Sequence, residues 1–204
     1  MRLLELFCGT KSVSKAVGHQ FSEVISLDLE AQFNPTICCD ILDWDYKVFP
    51  KGHFHTIWAS PPCQEFSCLN HARPEKTPNL ALADALVQRA IEIIEWFSPE
   101  RFFIENPQTG SLKDRPYMEG IPFVDMDYCQ FADWGYRKRT RFWTCVQAQD
   151  TLCDGDCSQT ENGRHRNAIG NSTYKEFWAQ RGGRLAQRYS IPADLIKALF
   201  LCPV

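Results

Sequence analysis

The sequence contains no run near the ~20 consecutive apolar residues of a membrane span, so no membrane role is expected. Nothing at its start reads as an export signal, because Met1-Arg2 leads directly into a strand-like run. The expected location is therefore intracellular (a bacterial or host cytoplasm, or a nucleus), not secreted. No internal repeat and no clear linker divides the chain. A full G-x-G-x-x-G fingerprint is missing, and Gly9 stands alone where one would begin. Strong charge of either sign is missing too. The net charge is −3, which by itself argues against a nucleic-acid binder. Cysteine is plentiful, at ten residues, yet a disulfide framework is not needed. A chain of 204 residues with 44% apolar content can bury a core, and without export the thiols are expected to stay reduced.

The charge is unevenly spread. Residues 1–136 hold 11 Lys/Arg against 19 Asp/Glu, whereas residues 137–204 hold 11 against 6. A basic end of this kind can track a phosphate backbone while the acidic part stays clear of it. An ordinary solvated surface with uneven charge would read the same way.

Arg2 to Phe7 reads as a first strand, Cys8-Gly9-Thr10 as a tight turn, and Lys11 to His19 as a helix through Val13, Ala16 and Val17. A second apolar run, Glu23 to Leu27, ends on Asp28, nineteen residues after Gly9. That spacing suits a carboxylate for ribose hydroxyls, or a surface or capping Asp. Thr36 to Cys39 is a short third strand before Asp40-Ile41, and His55 to Trp58 a fourth. Thr77-Pro78 predicts a helix start, followed by a stripe at Leu82, Ala83, Leu86, Val87, Ala90, Ile94 and Phe97. Arg101 to Ile104 is a further strand ending on Glu105-Asn106-Pro107. Beyond it, Tyr128 to Phe131 and Phe142 to Val146 predict a hairpin, with Arg137, Arg139 and Arg141 on one face. A like-charged row is tolerable where it meets anions or solvent. Two helices are expected near the end, over Thr173–Gln180 and Pro192–Leu201, with Arg181, Arg184 and Arg188 between them.

Ala59-Ser60-Pro61-Pro62-Cys63-Gln64-Glu65-Phe66-Ser67 organises the rest. Two prolines stop the fourth strand and stiffen the chain, so the Cys63 sulfur is presented from a rigid loop. A buried free thiol is the commoner fate of a lone cysteine. Position adds weight to a reactive role. Phe7, Asp28, Asp40, Ser60 and Glu105 all fall at or just past strand ends, the edge where open α/β sheets bind ligands. In the polar stretch 147–170, Cys153, Cys157 and His165 have the character of a zinc clip, with Cys129 or Cys145 as fourth ligand.

Phe7-Cys8-Gly9, Pro61-Pro62-Cys63-Gln64-Glu65-Phe66-Ser67, Glu105-Asn106 and Arg139-Thr140-Arg141 occur in the order of the cytosine-C5 methyltransferase motifs, which the chain resembles over most of residues 1–143. The resemblance implies a Rossmann-like, class I S-adenosylmethionine-dependent α/β methyltransferase fold with a small basic C-terminal region. It implies a catalytic core over 1–146, a reduced recognition region over 147–190 and a closing helix in 191–204 that packs back on the core. Cys63 would be the nucleophile, Glu105 the acid facing the ring, and Arg139 and Arg141 the contacts to the base O2 and the nucleophile loop. Phe7, Cys8, Gly9 and Thr10 would pack on the donor, with Asp28 on its ribose, Asp40 and Ile41 on its adenine and Pro61 near its amino-acid part. DNA is the implied substrate; tRNA, or nucleic-acid binding without catalysis, are the alternatives. Arg137 replaces a usual Gln, Asn106-Pro107 a usual Asn-Val, and Gly9-Thr10-Lys11 lacks the second glycine. At most about 50 residues, 143–190, stand where relatives carry a large recognition domain, so a separate recognition partner is a further expectation.

Overall fold

The structure is a computed structural model that describes residues 1–67, 77–167, 179, 183 and 189–204. Seven strands form one sheet: β1 (Arg2–Leu6), β2 (Glu23–Asp28), β3 (Ile37–Cys38), β4 (Thr56–Ala59), β5 (Arg101–Pro107), β6 (Phe123–Asp127) and β7 (Arg139–Thr144). Their order is β3-β2-β1-β4-β5-β7-β6. The first five are parallel, while β7 runs antiparallel to both β5 and β6. Parallel strands are covered on both faces, which is why β1, β4 and the start of β5 are nearly continuous apolar runs.

Alternation divides those runs between two cores. Leu4, Leu6, Ile57, Ala59, Ile104 and Trp143 pack with helix α2 (Leu80–Phe97). Leu3, Trp58, Phe103 and Phe142 pack with α1 (Ser12–Val17) and α3 (Ala193–Leu201). Phe200 of α3 stacks on Phe103 at 5.4 Å, so the last helix closes over the sheet. Among the described residues no helix is long and apolar enough to cross a membrane.

Three expectations change. The cap of α2 is Asn79, whose Oδ1 accepts the Leu82 N–H at 3.2 Å, and not Thr77 with Pro78. Asn79 closes the first turn directly, and Leu82 is then 47% exposed and outside the core stripe. Tyr128–Gln130 is a single 3₁₀ turn; the outer hairpin strand is β6, just before it. The helix expected over Thr173–Gln180 lies, Ala179 apart, outside the described residues, as do Arg181, Arg184 and Arg188.

Candidate active site

Among the described residues, two adjoining cavities at the carboxyl edge of the parallel strands hold most of the expected site residues. The larger, about 220 Å³, is lined by Phe7, Gly9, Asp28, Asp40 and Ile41, with Leu82 and Leu86 of α2 across from them. The turn after β1 shapes it. Phe7, Gly9 and Lys11 have positive φ of 54°, 46° and 57°, which reverses the chain within five residues. Glycine adopts this freely, whereas Phe7 and Lys11 each carry strain of about 1 kcal/mol. Glu5, buried beneath the turn, accepts the N–H groups of Val13 at 3.2 Å and Ser14 at 3.1 Å and so fixes the start of α1. Burial, only partly opposed by these bonds, pushes its carboxyl pKa up. Asp28 accepts the Gly9 N–H at 2.8 Å and the Glu30 N–H at 2.9 Å, tying β2 to the turn. Asp40 accepts the Leu42 N–H at 2.9 Å. Each carboxylate retains unused acceptor capacity. Thr10 is elsewhere: its hydroxyl meets Ser12 at 3.1 Å, and it lines an adjoining cleft with Lys11 and Lys15.

The second cavity, about 50 Å³, shares Phe7, Gly9, Ser60, Pro62 and Tyr189 with the first. Cys8, Pro61, Cys63, Glu105 and Lys138 are also in its wall. Cys63 and Glu105 thus meet one space. Asn106, next to Glu105, donates from Nδ2 to the Pro61 carbonyl at 3.0 Å and anchors the loop that carries Cys63 to β5. The Ser111 N–H donates to the Phe66 carbonyl at 2.9 Å as a second anchor, and glycine suits the tight approach beside it: a Cβ on Gly110 would lie 3.1 Å from the Phe66 carbonyl oxygen and 3.2 Å from that of Pro107. Cys8, by contrast, is a poor nucleophile. Burial, with Glu5 and Asp28 nearby, pushes its thiol up to about 12.

The cation in this cavity is Lys138, which the motif pattern does not single out. Its ammonium lies 3.4 Å from Glu105 Oε1 and 4.9 Å from the Tyr128 ring centroid. Burial alone would lower its pKa, but Glu105, followed by Tyr128, Cys63 and Tyr136, outweighs that and holds it above the ordinary lysine value. The Tyr128 hydroxyl donates to Glu105 Oε1 at 3.3 Å, and burial keeps it protonated. Arg139 and Arg141 point to the opposite sheet face and do not line the cavity. Arg139 binds Asp127 through two bonds of 3.2 and 2.8 Å. Arg141 binds Asp125 through two of 2.8 Å and stacks 3.5 Å from the Phe123 ring centroid. The cause is strand alternation, which sends 139 and 141 one way and 138 the other. Tyr189, also unforeseen, lines both cavities and accepts from Gln64 Nε2 at 3.1 Å.

Residues 1–116 match the family model described as C-5 cytosine-specific DNA methylase. The "Probable DNA (cytosine-5)-methyltransferase" of Frog virus 3 (isolate Goorha) is 36% identical over 222 residues, covering 99% of this chain and 100% of that protein. The chain belongs to the C-5 cytosine-specific DNA methylase family. Membership gives the methylase its reaction, transfer of a methyl group from S-adenosylmethionine to carbon 5 of cytosine. Two solved structures share its fold: S. pombe Dnmt2 methyltransferase (TM-score 0.50, 16% identity, 73% of this chain and 52% of that one) and Entamoeba histolytica methyltransferase EhMeth (0.51, 13%, 74% and 57%). The methylase spans about half the length of each. The fold is the Rossmann-like class I methyltransferase fold.

The larger cavity suits the donor. A flat apolar ring is matched by Ile41, Leu82 and Leu86, and hydroxyl and amine donors by Asp28 and Asp40. The methylase also holds a second cluster. Cys129, from the 3₁₀ turn, meets Cys153, Cys157 and His165 with all four ligand atoms within 4.8 Å of one another. Sγ of Cys153 lies 3.6 Å from His165 Nε2, and that of Cys157 lies 3.4 Å away. Cys145, the other candidate for fourth ligand, is turned to the Glu100 carbonyl at 3.5 Å.

Proposed function

We propose that the methylase acts on DNA through a covalent adduct between Cys63 and carbon 6 of the target cytosine. The observation that carries this is the single cavity shared by Cys63, Glu105 and Lys138, which adjoins the cavity suited to the donor. Carbon 5 of cytosine is a poor nucleophile. As the Cys63 Sγ–C6 bond forms, the C5–C6 double-bond electrons become available at carbon 5. Glu105 would hydrogen-bond ring N3 and the exocyclic amine, sharing a proton that offsets charge building on the ring. Lys138 and Tyr128 would hold Glu105 in that position. Phe7, Gly9, Asp28, Asp40 and Ile41 would hold S-adenosylmethionine, which when bound supplies an electrophilic methyl group and leaves as the neutral thioether. Transfer of the carbon-5 proton to a water molecule then restores the ring double bond as the S–C6 bond breaks, returning the thiolate. Arg139 and Arg141, through Asp127 and Asp125, act as positioning residues that fix the strand that follows Lys138.

A base within a duplex must be extruded to reach Cys63. The second cavity is smaller than the ~150 Å³ that accepts a benzene ring, so base entry requires its wall to move. Target recognition falls to residues 147–190 or to a separate partner. Zinc on Cys129, Cys153, Cys157 and His165 belongs to the same reading. A tetrahedral site with Zn–S of about 2.3 Å and Zn–N of about 2.05 Å has S···N edges of roughly 3.6 Å, and the two separations here are 3.6 and 3.4 Å.

The test is a trapping assay with 5-fluorocytosine in duplex DNA and in transcribed tRNA. Trapping on DNA is expected, with Cys63→Ser abolishing it and lowering methyl transfer at least ~1,000-fold. Undiminished transfer in Cys63→Ser refutes the adduct, and trapping on tRNA alone overturns the choice of substrate. Metal content near zero in protein purified without chelator removes the zinc.

A further inference from the structure

We infer that the metal in the Cys/His cluster positions the catalytic carboxylate by fixing Tyr128. This rests on the zinc and methyl-transfer readings above. Cys129 and Tyr128 are neighbours on one 3₁₀ turn, which the Phe131 and Ala132 N–H groups close on the Tyr128 carbonyl at 3.0 Å each. A ligand bond to Cys129 therefore fixes the fully buried Tyr128 as well. From that turn Tyr128 reaches the active site twice: its hydroxyl donates to Glu105, and its N–H donates to the Lys138 carbonyl at 3.2 Å.

The opposite side of the cluster cannot hold itself. Between residues 147 and 167 the one buried apolar side chain is Cys153, and β8 (Thr160–Glu161) and β9 (Arg164–His165) are two residues each. This loop is laced to the segment around Tyr128 and Lys138. The Cys153 N–H donates to Asp127 Oδ2 at 2.8 Å, Arg137 donates to the Cys153 carbonyl at 3.3 Å, and the Asn167 N–H donates to the Gly135 carbonyl at 2.7 Å. Polar laces without a core beneath them open readily, whereas metal–ligand bonds do not. The metal thus joins an otherwise weakly held loop to the turn that orients Glu105, as outer-shell partners orient a reacting group.

The full chain is assayed zinc-loaded and chelator-stripped, alongside Tyr128→Phe. One zinc per chain is expected. Stripping should speed amide exchange at Phe131, Ala132 and Cys153 and lower kcat about tenfold or more, with little change in donor KM; zinc should restore both. Tyr128→Phe should keep its zinc, show a similar kcat loss, and lose less than about twofold more on stripping. To guard against unfolding of the stripped chain, Cys157→Ser is titrated with free zinc. Its kcat should climb along the metal-occupancy curve with far-UV circular dichroism unchanged. Stoichiometric zinc whose removal leaves kcat and exchange at the turn unaltered, losses that multiply in Tyr128→Phe, or a flat kcat in the titration each overturn the positioning role while leaving the zinc site standing. Absence of zinc overturns both. A loaded wild type that transfers no methyl group instead sinks the reaction on which the inference rests.

Discussion

Replacing Lys138 with methionine keeps the length of the side chain and removes its ammonium. The nitrogen lies 3.4 Å from Glu105 Oε1, and the two side chains are only 13% and 9% exposed. At that separation the attraction is roughly 5 kcal/mol for an effective dielectric near 20. The desolvation of both ions offsets much of it in the wild type. The variant keeps the desolvation cost of the carboxylate and loses its partner, so a loss of about 3 kcal/mol is expected. For a chain of this size that corresponds to a Tm lower by ~6–12 °C. The penalty falls on the carboxylate left without its cation. Because Glu105 holds the Lys138 pKa above the ordinary lysine value, the pairing contributes fully below about pH 10 and is lost only as pH rises through the raised lysine pKa, so the deficit should be present at pH 8. Urea unfolding at pH 5 and pH 8, with single-turnover methyl transfer at pH 8, reads both consequences. Equal stability of variant and wild type at both pH values, with an unchanged rate, would refute the pairing of Lys138 with Glu105.

Lys11→Gly relieves a left-handed residue and should raise stability by about 0.5–1 kcal/mol, or ~1–4 °C in Tm by scanning calorimetry; a lowered Tm contradicts the turn geometry. Asp28→Ala removes the acceptor for Gly9 and Glu30 and the carboxylate proposed for the donor ribose. Donor affinity measured by titration calorimetry should fall about 10–100-fold, and a change under twofold would remove Asp28 from the donor site.

The strand edge was readable because parallel strands covered on both faces are short apolar runs that stop abruptly. Phe7, Asp28 and Glu105 mark such stops. β6 was hidden because Asp125 and Asp127 interrupt its apolar pattern. Their burial makes sense only beside Arg141 and Arg139, 16 and 12 residues away, and pairing at that range leaves no local mark. The arginine row was visible, and the same alternation already implied that Lys138 shares the opposite face with Thr140 and Phe142. Three of the four clustered thiol and imidazole groups were legible from their spacing. The choice of Cys129 over Cys145 depended on the 3₁₀ turn that ends β6.

The register of β6 against β7 has a chemical consequence. Asp127 lies opposite Arg139 and Asp125 opposite Arg141. Sliding β7 by one position would rotate every side chain to the other face, delivering a guanidinium where an ammonium now meets the carboxylate and leaving two aspartates without their forks. Sequence drift inside the paired stretch is therefore tolerable only in steps of two residues.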